Sequence, residues 1–429
     1  MWSPHLGPRL LVAASLVAAK VVKAEQGMRP SMTKRSITHE DVSGQRILCR
    51  VDFNVPIADD RIGDDTRIRA ALPTIRWLIE HGGRVILCSH LGRPRGLVRD
   101  DLRLAPAADR LAELIGQPVA ALREITGPAV TTAVNDLAPG SVLLLENLRF
   151  DPREEANDPG FARELADLAD LYVNDAFGAA HRAHASTQGV ALLLPSSIGL
   201  LMRREIAALS RLLNEPERPF GAIIGGAKIS DKIGVIEHLL PRIDQLLIGG
   251  GMANTFLLAQ GYQLGTSLVE TDKLDLARQI LSEAERQGTT VGLPVDVVVA
   301  SSVDAAGGTT KSVDDIGPQD AVFDIGPDTA ARYAGIVSDL RTVFWNGPLG
   351  VTERPPFANG TSAVAAAVAG ASAFTVIGGG DSVAAVEKLD LTAKIDHIST
   401  GGGASLEFLE GRSLPGIEAI PDDTGASRS

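Results

Sequence analysis

The chain has 429 residues, 45% of them apolar, and 41 basic against 53 acidic side chains give a net charge of −12. That length exceeds one ordinary core, so two domains are the default. The acidic balance argues against a general nucleic-acid or anionic-membrane surface, and an anionic ligand has to be met by local clusters of Arg and Lys.

Residues 1–31 differ in character from the rest of the chain. Leu10 to Ala19 is a ten-residue apolar stretch after Arg9, too short to span a bilayer. As the apolar region of a secretory signal it lacks a clear small-x-small cleavage site. We expect residues 1–31 to be an extension outside the fold, or an upstream start read in error with Met28 or Met32 as the true start. Cys49 and Cys88 lie in separate apolar runs, which suits two buried thiols in a reducing, cytoplasmic compartment, with a single disulfide as the alternative.

The stretch Arg50 to Ile75 is the one around which the remaining motifs are organised. Val51, Phe53 and Val55 alternate with Arg50, Asp52 and Asn54, so a strand over Arg46 to Asn54 puts Asp52 and Asn54 on one face. Pro56 and the acidic run to Asp65 break it into a loop. Ile68, Leu72, Ile75 and Ile79 then recur at helical spacing, with Thr66 as N-cap. Arg67 falls in the first helical turn, where the dipole disfavours a cation. An Asp-x-Asn pair facing an arginine across one loop points to a site for a polar, anionic ligand.

Three more apolar runs in the first half end in polar side chains. Arg84 to Ser89 leads into His90-Leu91-Gly92-Arg93, and Ser141 to Leu145 into Glu146-Asn147-Leu148-Arg149. Leu171 to Asn174 leads into Asp175-Ala176-Phe177-Gly178 and then His181 and Arg182. In open parallel sheets ligands bind beyond the carboxyl ends of the strands. Four junctions that each deliver Arg, alone or with His, to that edge point to a phosphate or carboxylate site. His181-x-x-His184 has metal-pair spacing, but no third ligand lies nearby and no HExxH occurs, so a metal is disfavoured. Pro195 to Leu213 reads as a helix and Asn214 to Pro219 as turn-rich, which places a helical domain connection at 196–213.

The second half repeats an apolar strand, a glycine cluster and a helix, and strands alternating with helices predict α/β lobes with parallel sheets. The clusters are Gly225-Gly226-Ala227-Lys228, Gly249 to Gly251, Asn346-Gly347-Pro348, Gly378-Gly379-Gly380-Asp381-Ser382 and Gly401-Gly402-Gly403. Pro294 to Ala300 is a further strand. Glycine lets backbone approach a ligand, and the helix start beyond each cluster offers free N–H groups to phosphates. No cluster matches GxxxxGK[ST], and none matches GxGxxG with an acidic residue downstream, so neither a Walker-A site nor a dinucleotide site is supported.

Nine ordered motifs, RVDFNVP, the loop to TRI, SHLGRP, LENLRF, NDAFGAAHRAHAS, GGAKISDK, WNGPLG, GGGDS and STGGGASLE, resemble phosphoglycerate kinases over about 32–421. The resemblance implies two doubly wound, Rossmann-like lobes joined by a hinge helix, 32–195 binding the phosphoglycerate and 214–405 the nucleotide, with 406–429 packing back on the first lobe. It implies a kinase acting on a carboxyl group: reversible phosphoryl transfer between 1,3-bisphosphoglycerate and ADP giving 3-phosphoglycerate and ATP, with Mg2+. It further implies a monomer with small-molecule substrates alone, and neither a nucleic-acid nor a membrane partner.

Carried over by position, the likeness implies that Asp52, Phe53 and Asn54 form a substrate-binding strand end. His90, Leu91, Gly92, Arg93, Arg149 and Arg182, with His181 alongside, match the patch for the glycerate phosphate. Arg67 matches the arginine at the reacting carboxyl, and Lys228 the lysine beside the transferring phosphoryl group. Lys232, Asn346, Glu353, Gly379, Gly380, Asp381 and Ser382 match nucleotide contacts, with Asp381 near the metal. Gly401, Gly402 and Gly403 match a helix start facing the cleft. Ser382 stands where Thr is frequent, and Thr352 and Arg354 to Pro356 depart from the residues common beside Glu353. A two-lobed solute-binding protein would fit the hinge and the apolar N-terminus but not Lys228, Asp381 and the second-half glycine loops. A nicotinamide-dependent oxidoreductase lacks its fingerprint.

Overall fold

The computed structural model describes residues 33–58 and 61–423; the expectations for residues 1–31 lie outside them. Two six-stranded sheets, every neighbouring pair parallel, form the frame. The first has the order Val119–Ala121, Val142–Leu144, Arg84–Cys88, Arg46–Arg50, Leu171–Asn174, Ser196–Ile198. Its strands are buried almost throughout, because helices cover both faces of a parallel sheet. Helix Thr66–Glu80 packs Ile68, Ile75 and Leu78 onto the core formed by Ile47, Cys49, Val85 and Leu87.

The second sheet has the order Thr290–Gly292, Gln245–Ile248, Phe220–Ile224, Thr342–Asn346, Phe374–Gly378, His397–Ile398. Counted along the chain this is 3-2-1-4-5-6, which puts the topological switch between Phe220–Ile224 and Thr342–Asn346. Trp345, Ile223, Ile377 and Tyr333 fill the core on one face. Among the described residues no helix is long and apolar enough to cross a membrane.

Four local expectations are corrected. Ser196–Ile198 is the edge strand of the first sheet rather than the start of a helix; the helix runs Leu200–Asn214 and links the two sheets. A three-residue strand with two serines carries no apolar signal, and its buried hydroxyls bond instead to Ala191 O and to Glu40. The strand from Arg46 ends at Arg50, and 51–56 continue extended without ladder pairing, although Val51, Phe53 and Val55 stay buried. Thr66 is the first helical residue rather than the cap, with its N–H and hydroxyl donating to Asp64 Oδ1. The run from Pro294 supplies Asp296–Ala300 to a separate antiparallel sheet with Thr309–Ser312 and Ala321–Ile325. The parallel edge strand is Thr290–Gly292, whose exposed Thr290 and single buried glycine give no strand pattern.

The chain end returns to the first sheet's neighbourhood. Lys34 is buried, its Nζ donating to Ile420 O at 2.9 Å and pairing with Asp422 at 2.8 Å. Arg35 N donates to Pro421 O at 2.9 Å, and Asn174 Nδ2 to Gly416 O at 3.0 Å.

Candidate functional site

Beyond the carboxyl ends of the first sheet lies a cleft of 330 Å³ lined by Asp52, Asn54, Arg67, His90, Gly92, Arg93, Arg149, Gly178, Ala179, His181, Arg182 and Gly401 to Gly403. The loop after each of the four predicted junctions delivers a residue to it. Asp52 and Asn54 keep the alternation of the extended stretch: Asp52 Oδ1 accepts the Asn54 N–H at 3.1 Å, and Asn54 Oδ1 accepts the Gly92 N–H at 2.9 Å. Arg67 Nη1 donates to Asn54 O at 2.9 Å and lies 3.5 Å from Asp52 Oδ1. Arg149 Nη1 donates to Gly92 O at 2.8 Å. Phe53 and Leu91, also expected at the site, turn into the hydrophobic core.

Beneath this cleft sits a residue that the sequence presents as an ordinary strand position. Arg50 is 1% exposed and donates to Ser186 Oγ at 2.9 Å, to Val51 O and to His90 Nδ1 at 3.1 Å. A guanidinium only donates, so His90 Nδ1 accepts and the ring proton rests on Nε2. Burial, and then the charges of Arg50, Arg149 and Arg67, hold His90 well below the ordinary imidazole range. A neutral imidazole is therefore one more N–H donor in the basic cleft. Glu154, wholly buried, balances Arg50. It accepts from Ser186 Oγ at 2.6 Å and lies 3.6 Å from His184 Nδ1. Burial pushes its carboxyl up, but His184, Arg50 and Ser186 outweigh that and hold it below the usual range. Hence His184 and His181 face different carboxylates, Glu154 and Glu407, rather than one metal.

The last glycine triplet closes the cleft from the other side. A Cβ on Gly178 would sit 2.8 Å from Asp52 Oδ2, and one on Gly401 would sit 2.4 Å from the Phe177 ring. These two glycines are fixed by close approach. The loop before Gly401 is tied to the linking helix through Glu205, which is wholly buried. Its carboxylate accepts from Thr400 N at 2.7 Å, from Thr400 Oγ1 at 2.8 Å and from His397 Nε2 at 2.8 Å.

A second cleft, 530 Å³, opens at the switch point of the second sheet. Gly226, Ala227, Gly250, Gly251 and Pro348 form one wall, Leu268 and Phe323 give apolar surface, and Glu353 and Asp381 stand at the polar side. Much of the glycine here serves backbone packing: a Cβ on Gly225 would meet Pro348 O at 2.1 Å, and one on Gly347 would meet Gly225 O at 2.2 Å. Lys232 Nζ donates to Asn346 Oδ1. Burial lowers the Lys232 ammonium from its ordinary value, opposed by Asp231 and Asp381. Asn346 is fully buried, and its Nδ2 has no protein acceptor although it lies against Gly379. Gly379, at φ +91°, precedes helix Gly380–Lys388, which holds Asp381 in its first turn. Ser382 is buried and its hydroxyl accepts the Gly347 N–H at 2.6 Å, so it fixes the neighbouring turn.

Arg67 and Lys228 are not brought together: Arg67 lines the basic cleft, while Lys228 is exposed and lines neither cleft. Among the described residues no three His, Cys, Asp or Glu side chains converge as metal ligands. Cys49 and Cys88 are buried free thiols, and burial raises both above the ordinary thiol range.

The family model described as phosphoglycerate kinase matches residues 37–412. A phosphoglycerate kinase of Roseiflexus sp. (strain RS-1) is 59% identical over 394 residues, covering 91% of this chain and 100% of that one. One from Moorella thermoacetica is 57% identical over 392 residues, again 91% of this chain and 100% of the relative. Among solved structures, phosphoglycerate kinase from Coxiella burnetii superimposes with a TM-score of 0.82 at 42% identity, covering 90% of this chain and 98% of that chain.

Proposed function

Because the chain belongs to the phosphoglycerate kinase family, we propose that its two clefts divide that family's substrates, the glycerate in the basic cleft and the nucleotide in the glycine-rich one. The reaction is reversible phosphoryl transfer between 1,3-bisphosphoglycerate and ADP, giving 3-phosphoglycerate and ATP. The observation that carries the division is the charge asymmetry: Arg67, Arg93, Arg149 and Arg182 converge on one cleft, whereas apolar walls and the acidic side chains Asp324, Glu353 and Asp381 line the other.

In this reading Arg149, Arg182, Arg93 and the Nε2–H of His90 bind the glycerate phosphate, and Asp52 and Asn54 orient the rest of the glycerate. Arg67 neutralises the reacting carboxyl or acyl phosphate. Both possible nucleophiles, a carboxylate and an ADP phosphate, are anionic at neutral pH, so no general base is required. Catalysis then consists of positioning and of neutralising spreading negative charge. Lys228 brings a neutralising positive charge from the nucleotide side once the lobes close about the linking helix. Lys232, Asn346 and the Gly379-Gly380 helix start hold nucleotide phosphates, and Glu353 takes the ribose. Residues 33–198 and 215–405 act as the two lobes, moved from the expected 32–195 and 214–405 by the edge strand Ser196–Ile198, with helix Leu200–Asn214 as the hinge and 406–423 as a segment returning to the first lobe.

Asp381, in the first turn of helix Gly380–Lys388, is the carboxylate that would hold Mg2+, as suits a metal that keeps waters and binds largely through phosphates. When bound, Mg2+ neutralises charge on the transferring and bridging phosphates. We assign the protein as a cytoplasmic monomer acting on these small molecules, with no nucleic-acid or membrane partner.

The test is ATP- and Mg2+-dependent phosphorylation of 3-phosphoglycerate by protein beginning at Met32. Turnover is the expected result and makes residues 1–31 dispensable for it. No turnover with both ligands still bound would locate the failure at closure or at the reaction centre, and no binding of either would overturn the assignment.

A further inference from the structure

Arg182 reaches the basic cleft at the end of a short relay. Its Nε donates to His181 Nε2 at 3.2 Å, and His181 Nδ1 lies 2.7 Å from Glu407 Oε1. A guanidinium cannot accept and an ionised carboxylate cannot donate, so the direction of both bonds is fixed: Arg182 Nε–H to His181 Nε2, and His181 Nδ1–H to Glu407. Only the neutral Nδ1–H tautomer satisfies both ends. Among the described residues the Arg182 side chain makes no other hydrogen bond to protein, which leaves its terminal nitrogens for a ligand.

Glu407 comes from helix Gly403–Leu409, more than 220 positions along the chain from His181. The same short helix packs against the Phe177–Ala179 turn of the first lobe and against helix Ile233–Leu239 of the second. A Cβ on Gly403 would lie 3.6 Å from His181 Cε1, so the ring is seated against the backbone of that helix.

We infer that Glu407 is a positioning residue of the basic cleft: through His181 it fixes the Nε edge of Arg182 and aims the other guanidinium edge at the bound phosphate. The inference rests on the reading of this cleft as the phosphoglycerate site. A free arginine side chain has many rotamers to lose on binding, and tying Nε down in advance removes part of that cost. The carboxylate also sets the tautomer, a task that an uncharged amide oxygen at the same place performs nearly as well.

The experiment uses the full chain and measures dissociation constants of 3-phosphoglycerate and of MgATP separately, for the parent and for Glu407→Ala, Glu407→Gln, His181→Ala and the His181→Ala/Glu407→Ala pair. Glu407→Ala is expected to weaken 3-phosphoglycerate by about 3- to 10-fold, the loss of one hydrogen bond's worth of preorganisation. MgATP should stay within about twofold, Glu407→Gln should recover most of the loss, and Glu407→Ala should add nothing once His181 is gone. Glu407 is partly exposed, with 31% of its side chain accessible, so its truncation leaves no sealed cavity. Unchanged 3-phosphoglycerate affinity in Glu407→Ala, equal weakening of both ligands, or an undiminished effect in the His181→Ala background would each overturn the inference. Failure of the unaltered protein to bind 3-phosphoglycerate would overturn the cleft reading itself, a result visible without any variant.

Discussion

Arg50 shows how a residue's role is set by what its polar atoms have to find. The sequence places it on a strand, where an arginine reads as an edge or surface residue. Its burial becomes intelligible once Ser186, His90 and Glu154 gather around it from distant parts of the chain. Such partners leave no local pattern, which is why Asp52, Asn54 and the junction arginines were legible and Arg50 and Glu154 were not. Arg50→Met should destabilise the fold by about 3 kcal/mol, because it leaves the buried Glu154 carboxylate without its guanidinium. Urea titration of the variant measures this, and a loss below about 1 kcal/mol would show that Glu154 needs no such counter-charge. For the chemistry, Arg67→Ala and Lys228→Ala are each expected to lower kcat by about 100- to 1,000-fold. Lys228→Ala should leave 3-phosphoglycerate binding near the parent value, since Lys228 lines neither cleft. Steady-state kinetics beside binding titrations separate the two effects.

Among elements, the linking helix Leu200–Asn214 is joined to the glycine triplet through Glu205. The helix itself was readable from Leu201, Ile206 and Leu209. The role of Glu205 was not, because its partners His397 and Thr400 lie nearly two hundred positions away. Likewise the two long sheets were visible in apolar runs closed by polar or glycine-rich ends. The strands Ser196–Ile198 and Thr290–Gly292 leave no sequence signal, because three residues with little apolar content carry no periodicity. Glu205→Ala removes three acceptor contacts and should cost about 2 to 3 kcal/mol of stability. It should also lower kcat while the separate affinities for 3-phosphoglycerate and MgATP survive, since the loop it holds joins the linking helix to the basic cleft. Equal loss of kcat and of both affinities would mean that the contact only supports the fold.

At the scale of the whole molecule, two wholly or nearly buried carboxyls bear on how stability responds to pH. Burial pushes Asp175, against the start of the linking helix, and Asp324, at the cleft of the second sheet, up to about 7. A carboxyl with a raised folded value holds its proton longer in the folded chain than in the unfolded one. Its contribution is therefore fully present below the ordinary carboxylate range and is lost as pH rises towards 7. Asp175→Asn removes this dependence while its amide oxygen can still accept the Met202 N–H that Asp175 Oδ1 accepts. Relative to the parent, the variant's stability should rise between pH 4 and 7 by up to about 1.4 kcal/mol per pH unit and level off above. Denaturant titrations at three pH values check this; a difference that does not change with pH would place Asp175 in the ordinary carboxylate range.

The clasp between Lys34, Arg35 and the segment Ile420 to Asp422 has a consequence for synthesis on the ribosome. The first sheet is complete once Ile198 has emerged, yet the Ile420 carbonyl and the Asp422 carboxylate that satisfy the Lys34 ammonium are made only after the whole second sheet. At roughly 5 to 20 residues per second the intervening ~220 residues take on the order of 10 to 40 s. Throughout that interval the nascent first lobe must wait with one end of its surface unsealed, and its final closure is tied to the translation of the second lobe rather than to its own.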